Sequence, residues 1–154
     1  MTVRDVKSSL LAVFAMASTS LTAGGSGDAT EVVGSTINLQ TLAKRPSSVV
    51  FDIPCRAVLA AGKKLTVVGR IQESVDGSTW TNASGTDATL LTLLDSGSGS
   101  TMTGVARIGI DLQRKNCNYV RVRATPDLDA ANTDTAVMGA GVANFGGLAS
   151  DPGN

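Results

Sequence analysis

The residue types that carry most enzyme chemistry are scarce in this sequence and form no recognisable catalytic pattern. The 154 residues include no histidine, so the commonest general base and metal ligand is missing, and with it every Ser-His or Cys-His nucleophile pair. The sequence also contains neither a Gly-x-Ser-x-Gly nucleophile elbow nor a Gly-x-x-x-x-Gly-Lys-Ser/Thr phosphate-binding loop. We therefore predict a protein that is not an enzyme and that uses no cofactor.

Metal-binding patterns are also absent from the sequence. Cys55 and Cys117 lie far apart, without Cys-x-x-Cys spacing and without a histidine to complete a zinc site. Two interpretations of the pair stay open: a disulfide, if the two Cα atoms come within about 7 Å, or two small buried thiols, which we favour. The acidic stretch that begins at Asp127 fails as a calcium loop, because its sixth position is Asn132 and its twelfth is Met138. We predict a turn rich in acceptors there and no metal site.

The overall composition suits a protein that associates with others. Thirteen basic and thirteen acidic residues give a formal net charge of zero, which removes the positive field expected of a nucleic-acid binder. Only 17% of the residues are charged and 42% are hydrophobic, so copies packed side by side would repel one another little. No stretch approaches the ~20 apolar residues that a membrane-spanning helix needs. A chain of this length is expected to form one core.

Alternation of apolar and polar residues predicts β-strands along most of the chain. The clearest example is a strand whose buried face is formed by Leu65, Val67, Gly69 and Ile71. Asp76-Gly77 then predicts a tight turn, and Trp80, the only tryptophan, begins the return strand of a β-hairpin. We expect the Trp80 ring to lie over the core, as aromatic rings of that size usually do.

Two further strands complete the argument for an all-β fold. A short strand places Phe51 and Ile53 on one face and is expected to end at Pro54. A second strand has Val120, Val122 and Ala124 on one face, and on the other Tyr119, Arg121 and Arg123. These arginines either bind an anionic partner surface by bidentate pairing or form a solvated face with acidic partners across the strand. Short strands with Gly, Asn and Asp between them predict a two-sheet β-sandwich or jelly roll of about eight strands.

The first 23 residues allow several interpretations. Arg4 and Lys7 precede an apolar run, which is the pattern of a secretory signal peptide. If the segment is retained, its spacing fits either a helix or a first strand, and it packs on its own domain or reaches a neighbouring subunit. We divide the chain into an N-terminal arm with a Gly-rich connector at 1–34, a β-sandwich domain at 35–148 and a loose C-terminal tail at 149–154.

Several stretches, taken in order, resemble the small capsid cement (decoration) proteins of tailed bacteriophages. They are Leu10–Phe14, Leu21–Ala23 leading to Ser35–Leu39, the hairpin Gln72–Trp80, Tyr119–Arg123 and the closing strand rich in Ala and Gly. The resemblance implies a jelly-roll-like domain on the outside of an icosahedral head, which oligomerises and joins adjacent major capsid protein subunits. It implies no enzymatic activity and no cofactor. One departure from the family is the longer Gly-rich connector at residues 24–28.

The resemblance therefore predicts a virion protein on the outer face of the capsid, assembled in the bacterial host cytoplasm, where both cysteines stay reduced. Its expected partners are the major capsid protein and other copies of itself, with no nucleic acid, membrane or small-molecule substrate. As protein-interface residues we predict two groups: Leu10, Leu11, Val13, Phe14 and Met16 in the N-terminal segment, and Tyr119, Arg121 and Arg123 on the outward strand face. The alternatives are another virion component, such as a head-fibre base, head-tail connector or tail protein, and a secreted surface-binding β-sandwich.

Overall fold

The computed structural model describes residues 10–113, 115–129 and 133–148, and within them the regular structure is almost entirely β-strand. A single 3-10 turn, Leu39–Thr41, is the helical element of these residues. The strands in chain order are β1 (Leu10–Met16), β2 (Thr19–Thr22), β3 (Val32–Val33), β4 (Ile37–Asn38), β5 (Ser48–Leu59), β6 (Lys64–Ser74), β7 (Thr81–Asn82), β8 (Ala88–Leu94), β9 (Ser100–Asp111), β10 (Tyr119–Leu128), β11 (Thr135–Met138) and β12 (Gly141–Gly146). The predicted all-β sandwich is confirmed, with about twelve strands rather than eight, because short edge strands supplement the long ones.

Sheet A is built on β5, which pairs antiparallel with β9 along its whole length, from Ser48 opposite Asp111 to Leu59 opposite Ser100. On its other side β5 pairs first with β12 and then with β11. β1 lies outside β12, and β2 lies outside β11. β1 is therefore an edge strand of this sheet.

Sheet B is built on the antiparallel pair β6 and β10, which runs from Leu65 opposite Leu128 to Ser74 opposite Tyr119. The two short strands β3 and β4 pair with the far side of β10, and β7 and β8 pair with the far side of β6. The predicted hairpin is confirmed, since β7 returns from the Asp76-Gly77 turn to pair with β6.

The core lies between the two sheets and is formed by alternate residues of the long strands, as the sequence pattern predicts. Its largest wholly buried side chains are Phe51, Phe145, Met16, Leu21, Leu39, Ile53, Leu65, Ile71, Leu112, Met138, Val49 and Val67. Both cysteines are buried and free, which confirms the preferred interpretation of two thiols. Burial raises the pKa of the Cys55 thiol to about 11.

The expected strand end at Pro54 is wrong, because β5 continues through the proline to Leu59. Backbone N–H and C=O groups of one residue in an antiparallel strand point to the same side. The Pro54 carbonyl accepts a hydrogen bond from the Gly139 N–H at 2.7 Å, so the missing proline N–H also faces the connection between β11 and β12. Pro54 lies between the part of β5 that pairs with β12 and the part that pairs with β11, so no backbone donor is needed there.

Residues placed in an N-terminal arm by the sequence supply two strands of sheet A and several core side chains. Ala15, Met16, Leu21 and Ala23 are all buried between the sheets. The Gly-rich connector that follows is fastened to the sandwich, since the Asp28 carboxylate accepts from the N–H groups of Gly24 and Leu128 at 2.7 and 2.8 Å. Residues 1–9 and the predicted tail at 149–154 lie outside the described residues.

Candidate functional site: two outward sheet faces

Strand β1 divides its side chains between the core and the surface. Leu10 and Phe14 point away from the sandwich and are 52% and 56% exposed, and Leu11 is 37% exposed. Val13 is half-buried and packs against the core, whereas Met16 is completely buried. Leu10, Leu11 and Phe14 thus remain available to a partner. Met16 does not, because its side chain fills the interior of its own domain.

Within the described part of the chain, the backbone of β1 is paired on one side only. Leu10 to Phe14 pair with β12, and no strand of the described residues pairs with the opposite edge. That edge is closed at its end, where the Ala15 carbonyl accepts from the Ser35 N–H at 2.7 Å. A sheet edge left open in this way presents N–H and C=O groups that an extended segment of another chain can pair with.

We call the exposed apolar side chains on the outer face of sheet A, together with Leu10 and Phe14 of β1, the apolar face; the ion pair of Asp52 and Arg107 lies among them. Across β5, β9 and β11 its exposed side chains include Pro54, Val58, Val105 and Val137. A shallow groove of about 550 Å³ lies among them, with Arg56 and Thr103 at its border. Exposed apolar side chains clustered around a groove in this way are typical of a surface that contacts another macromolecule.

The outer face of sheet B is polar, and we call it the arginine face: the outward side chains of β6 and β10 with Trp80 and Glu31. Arg121 lies at its centre. Its guanidinium carbon is 4.0 Å from the centroid of the Trp80 ring, and its Nε donates to Gln72 Oε1 at 2.9 Å. Gln72 is itself held by Asn82, to which it donates at 3.0 Å. The expectation that Trp80 covers the core is wrong, because the half-buried ring stacks on this cation instead.

Arg123 and Arg70 lie directly opposite each other on neighbouring strands. Like charges in this position repel, and Glu31 compensates both by accepting from Arg70 at 2.8 Å and by pairing with Arg123. Asp87 adds a weaker ion pair to Arg70 at 3.6 Å. Arg123 therefore has an acidic partner within the chain, and Arg121 has none among the described residues, so the binding of an anionic partner surface stays a prediction for Arg121.

The charge of Arg121 forms no ion pair within the part of the chain that the structure describes. Burial, together with the neighbouring positive charge of Arg123, lowers the pKa of Arg121. In contrast, the hydrogen bond and charge of Glu31 raise the pKa of Arg70. An arginine whose cation is disfavoured in this way gains from an added carboxylate.

Tyr119 lies at the end of the arginine face, against the hairpin turn. A methyl group at Gly77, where φ is +76°, would meet the Tyr119 ring at 3.4 Å. The turn is held by Asp76, whose carboxylate accepts from the N–H groups of Thr79 and Ser78 at 2.7 and 2.8 Å. These bonds hold the pKa of Asp76 well below its usual range. Tyr119 thus has a packing role within the chain.

No metal centre is formed by the residues that the structure describes. They contain no group of three or more Cys, Asp or Glu side chains able to hold an ion. In the acidic stretch after Asp127, Asp134 is buried, and its carboxylate accepts from the Ala60 N–H at 2.9 Å. It therefore stabilises the turn that follows β5. No helix in the described part of the chain is long and apolar enough to cross a membrane.

Trp80, Glu31 and Gln72 are site residues that the sequence did not indicate. The register of β10 against β6, and of β6 against β7, brings Gln72 and Trp80 beside Arg121. The pairing of β3 with β10 brings Glu31 beside Arg123. One signal could have predicted the contact of Trp80 with the arginine face. Trp80 lies two residues before Asn82, and Asn82 pairs with Gln72 when the hairpin closes. Together the two outward faces define a β-sandwich whose surfaces, rather than a cleft, carry its candidate functional residues.

Comparison with known proteins finds a remote likeness in structure to viral capsid proteins. No protein-family model and no curated protein sequence matches the chain. A solved structure of the infectious bursal disease virus Gt strain aligns over 94% of this chain and 34% of that chain, with 11% identity and a TM-score of 0.46. The VP2 subviral particle of the same virus aligns over 94% and 34%, with 10% identity and a TM-score of 0.43. A protein of the T13 viral particle aligns over 88% of this chain and 30% of that chain, with 8% identity and a TM-score of 0.42. The chain spans about a third of the length of these proteins.

Proposed function

We propose that this chain is a non-enzymatic structural protein of a bacteriophage particle, which binds the outside of the head and stabilises contacts between major capsid protein subunits. The observation that carries the proposal is the apolar face with the open edge of β1 beside it. Phe14 is 56% exposed there and Val105 is 48% exposed, in a chain of zero net charge. A domain that works alone in water gains nothing from such a surface. The stretches that resemble phage cement proteins give the partner.

The apolar face supplies the two kinds of contact that attachment to a shell requires. Its side chains lose water when they are covered, at about 25 cal/mol per Å² of apolar area. The free edge of β1 can add backbone hydrogen bonds to an extended segment of a capsid subunit. The exposed ion pair of Asp52 and Arg107 lies on the same face, with Nε to Oδ1 at 2.5 Å, so its charges are already matched when the face is covered.

Self-association is the second part of the proposal. Copies on adjacent sites of a head are linked to the shell and to each other, so that individually weak contacts add up to a lasting attachment. The partners are then the major capsid protein and further copies of this chain, with no nucleic acid, membrane or small-molecule substrate. The protein would be assembled onto the virion in the bacterial cytoplasm.

Co-sedimentation of purified protein with phage heads that lack it tests the proposal. Phe14→Ser should weaken attachment about ten-fold, because covering half of a phenylalanine ring contributes on the order of 1.4 kcal/mol. Val105→Ser should weaken it in the same direction. Val75→Ser is the matched control, because Val75 is also 56% exposed but lies in the hairpin turn, away from the apolar face. Attachment that is unchanged in both Phe14→Ser and Val105→Ser would contradict the proposal.

A further inference from the structure

The outward side chains of β10 are sorted by charge along the strand. Arg121 and Arg123 lie toward one end, Thr125 follows, and Asp127 lies at the other end, while the residues between them face the core. Arg121 and Asp127 are six residues apart, which is about 20 Å along a strand. The two groups are thus too far apart to pair with each other within one chain.

Arg121 and Asp127 are also the two charges of this stripe that the described part of the fold leaves open. Arg123 is paired with Glu31. The Nε of Arg121 donates to Gln72 and its guanidinium lies over the ring of Trp80, and no described residue accepts a hydrogen bond from its two terminal nitrogens. Asp127 is exposed, and its carboxylate accepts no hydrogen bond from the described part of the chain. Gln72 and Trp80 hold the guanidinium in place with its terminal nitrogens open, which is the geometry that binds a carboxylate in a bidentate manner.

We propose that the arginine face joins two copies of this chain about a two-fold axis, with Arg121 of each copy paired to Asp127 of the partner subunit. The proposal rests on the proposed function, of which self-association is one part, and it names the surface that carries it. A two-fold interface brings the same patch of both copies together, so a stripe with opposite charges at its ends complements itself when the strands run antiparallel. Both ion pairs then form at once.

The middle of the stripe permits this approach. The axis falls between Arg123, which Glu31 already compensates, and the uncharged Thr125. Beside Thr125 lies Val68, which is 39% exposed, and beyond it the exposed Thr89. No uncompensated charge of the described residues would be buried at the centre, which is the condition under which covering ion pairs is favourable.

Reciprocal charge reversal tests the interface by sedimentation velocity at physiological salt. Asp127→Arg places two guanidinium groups together at both contacts, and Arg121→Asp places two carboxylates together. Each variant should associate at least ten-fold more weakly than the native protein. An equimolar mixture of the two variants should recover the dimer, because the heterodimer again pairs opposite charges across the interface. Trp80 fluorescence should change with association, since it is the only tryptophan and it contacts Arg121.

Matched controls lie on the opposite sheet. Arg56→Asp and Asp111→Arg reverse exposed charges of sheet A and should leave self-association unchanged. Asp127→Arg removes no contact of the described fold, so it tests the interface even if Arg121→Asp unfolds. The proposal is overturned if the native protein stays monomeric at its highest soluble concentration, if Asp127→Arg associates as the native protein does, or if the mixture does not recover the dimer.

Head attachment measured on the same variants separates this inference from the proposed function. If Asp127→Arg loses attachment while self-association persists, the carboxylate belongs to a contact with the shell and the two-fold interface is wrong. If self-association follows the expected pattern and the native protein does not bind heads, the interface stands and the proposed function is wrong.

Discussion

Met16 and Phe14 lie two residues apart on β1 and face opposite ways, because the register of the strand shifts between them. We therefore have opposite expectations for their removal. Met16 is completely buried, and its neighbour Gly141 is so close that a methyl group added there would lie 3.1 Å from Met16 Cβ. Large-to-alanine changes of this kind cost about 2–5 kcal/mol of unfolding free energy. We expect about 3 kcal/mol for Met16→Ala, since an edge strand can partly close the cavity. Phe14→Ala should cost about 0.5 kcal/mol or less, as exposed substitutions usually do.

The measurement is thermal and urea-induced unfolding of both variants. For a chain of this length each kcal/mol lowers Tm by about 2–4 °C, so Met16→Ala should melt about 6–12 °C below the native protein. Its urea midpoint should fall without a change in the slope m. At a temperature where Met16→Ala stays folded, it should still attach to heads, whereas Phe14→Ala should be stable and attach weakly.

The opposite pattern would refute the reasoning. If Met16→Ala unfolds like the native protein and fails to attach, its side chain contacts a partner and β1 is not packed as described. If Phe14→Ala melts many degrees lower, the ring is covered by its own chain. The first result would restore the view of residues 10–16 as an arm that binds another subunit, and the second would remove Phe14 from the surface offered to a partner.

Three further predictions concern the polar groups. Asp76→Asn should lower the free energy of unfolding at pH 7. The loss relative to the native protein should shrink as pH falls below about 4, because a carboxylate whose pKa is lowered by folding no longer stabilises the fold once it is protonated. Urea unfolding at several pH values measures this loss. Glu31→Gln should lower the free energy of unfolding by about 1 kcal/mol, because Arg70 and Arg123 are then opposed without a carboxylate between them. The loss should be smaller in high salt, where the repulsion is screened. An equal loss at low and high salt would exclude repulsion as the cause. In a Cys117→Ser background, the Cys55 thiol should react with a disulfide reagent at pH 8 only when the fold opens, because its side chain is buried. Burial also raises the pKa of this thiol to about 11, which slows the reaction further. Rapid labelling in native buffer would show that the thiol is accessible.

Much of the fold follows from alternation alone. The inward faces of β6 and β10, and of β5 as far as Ile53, are predicted residue by residue, because buried side chains recur every second residue and a shift of one would expose them all. Arg121 and Arg123 are assigned to the outward face by the same rule, and the structure places them there. What alternation does not determine is which strand lies beside which, so Glu31, thirty-nine residues before Arg70, has no sequence signal as its partner.

Two local expectations failed, and Met16 lies in the core, for physical reasons of the same kind. Pro54 does not end its strand because the neighbouring strands change at that position, where no donor is needed. Trp80 does not enter the core because Arg121 offers its ring a cation on the outer face. Met16 faces the interior because the pairing of β1 with β12 shifts register between Phe14 and Met16, which interrupts the alternation of the strand. In each case, contacts with residues that are distant in the sequence determine where the residue lies, and its own type suggests a different place.

The two proposed surfaces lie on opposite sides of the sandwich, and this separation makes a last prediction. Phe14 lies on the outer face of sheet A and Asp127 on the outer face of sheet B, with the buried core between them and no shared neighbour among the described residues. Changes at well-separated sites usually add, within about 0.3–0.5 kcal/mol. Phe14→Ser combined with Asp127→Arg should therefore lose intrinsic attachment to isolated shell sites as much as Phe14→Ser does, and self-association as much as Asp127→Arg does. If the double variant instead loses far more of either property than the matching single variant, both surfaces contact the same partner, and the division of the sandwich into a shell-binding sheet and a copy-binding sheet is wrong.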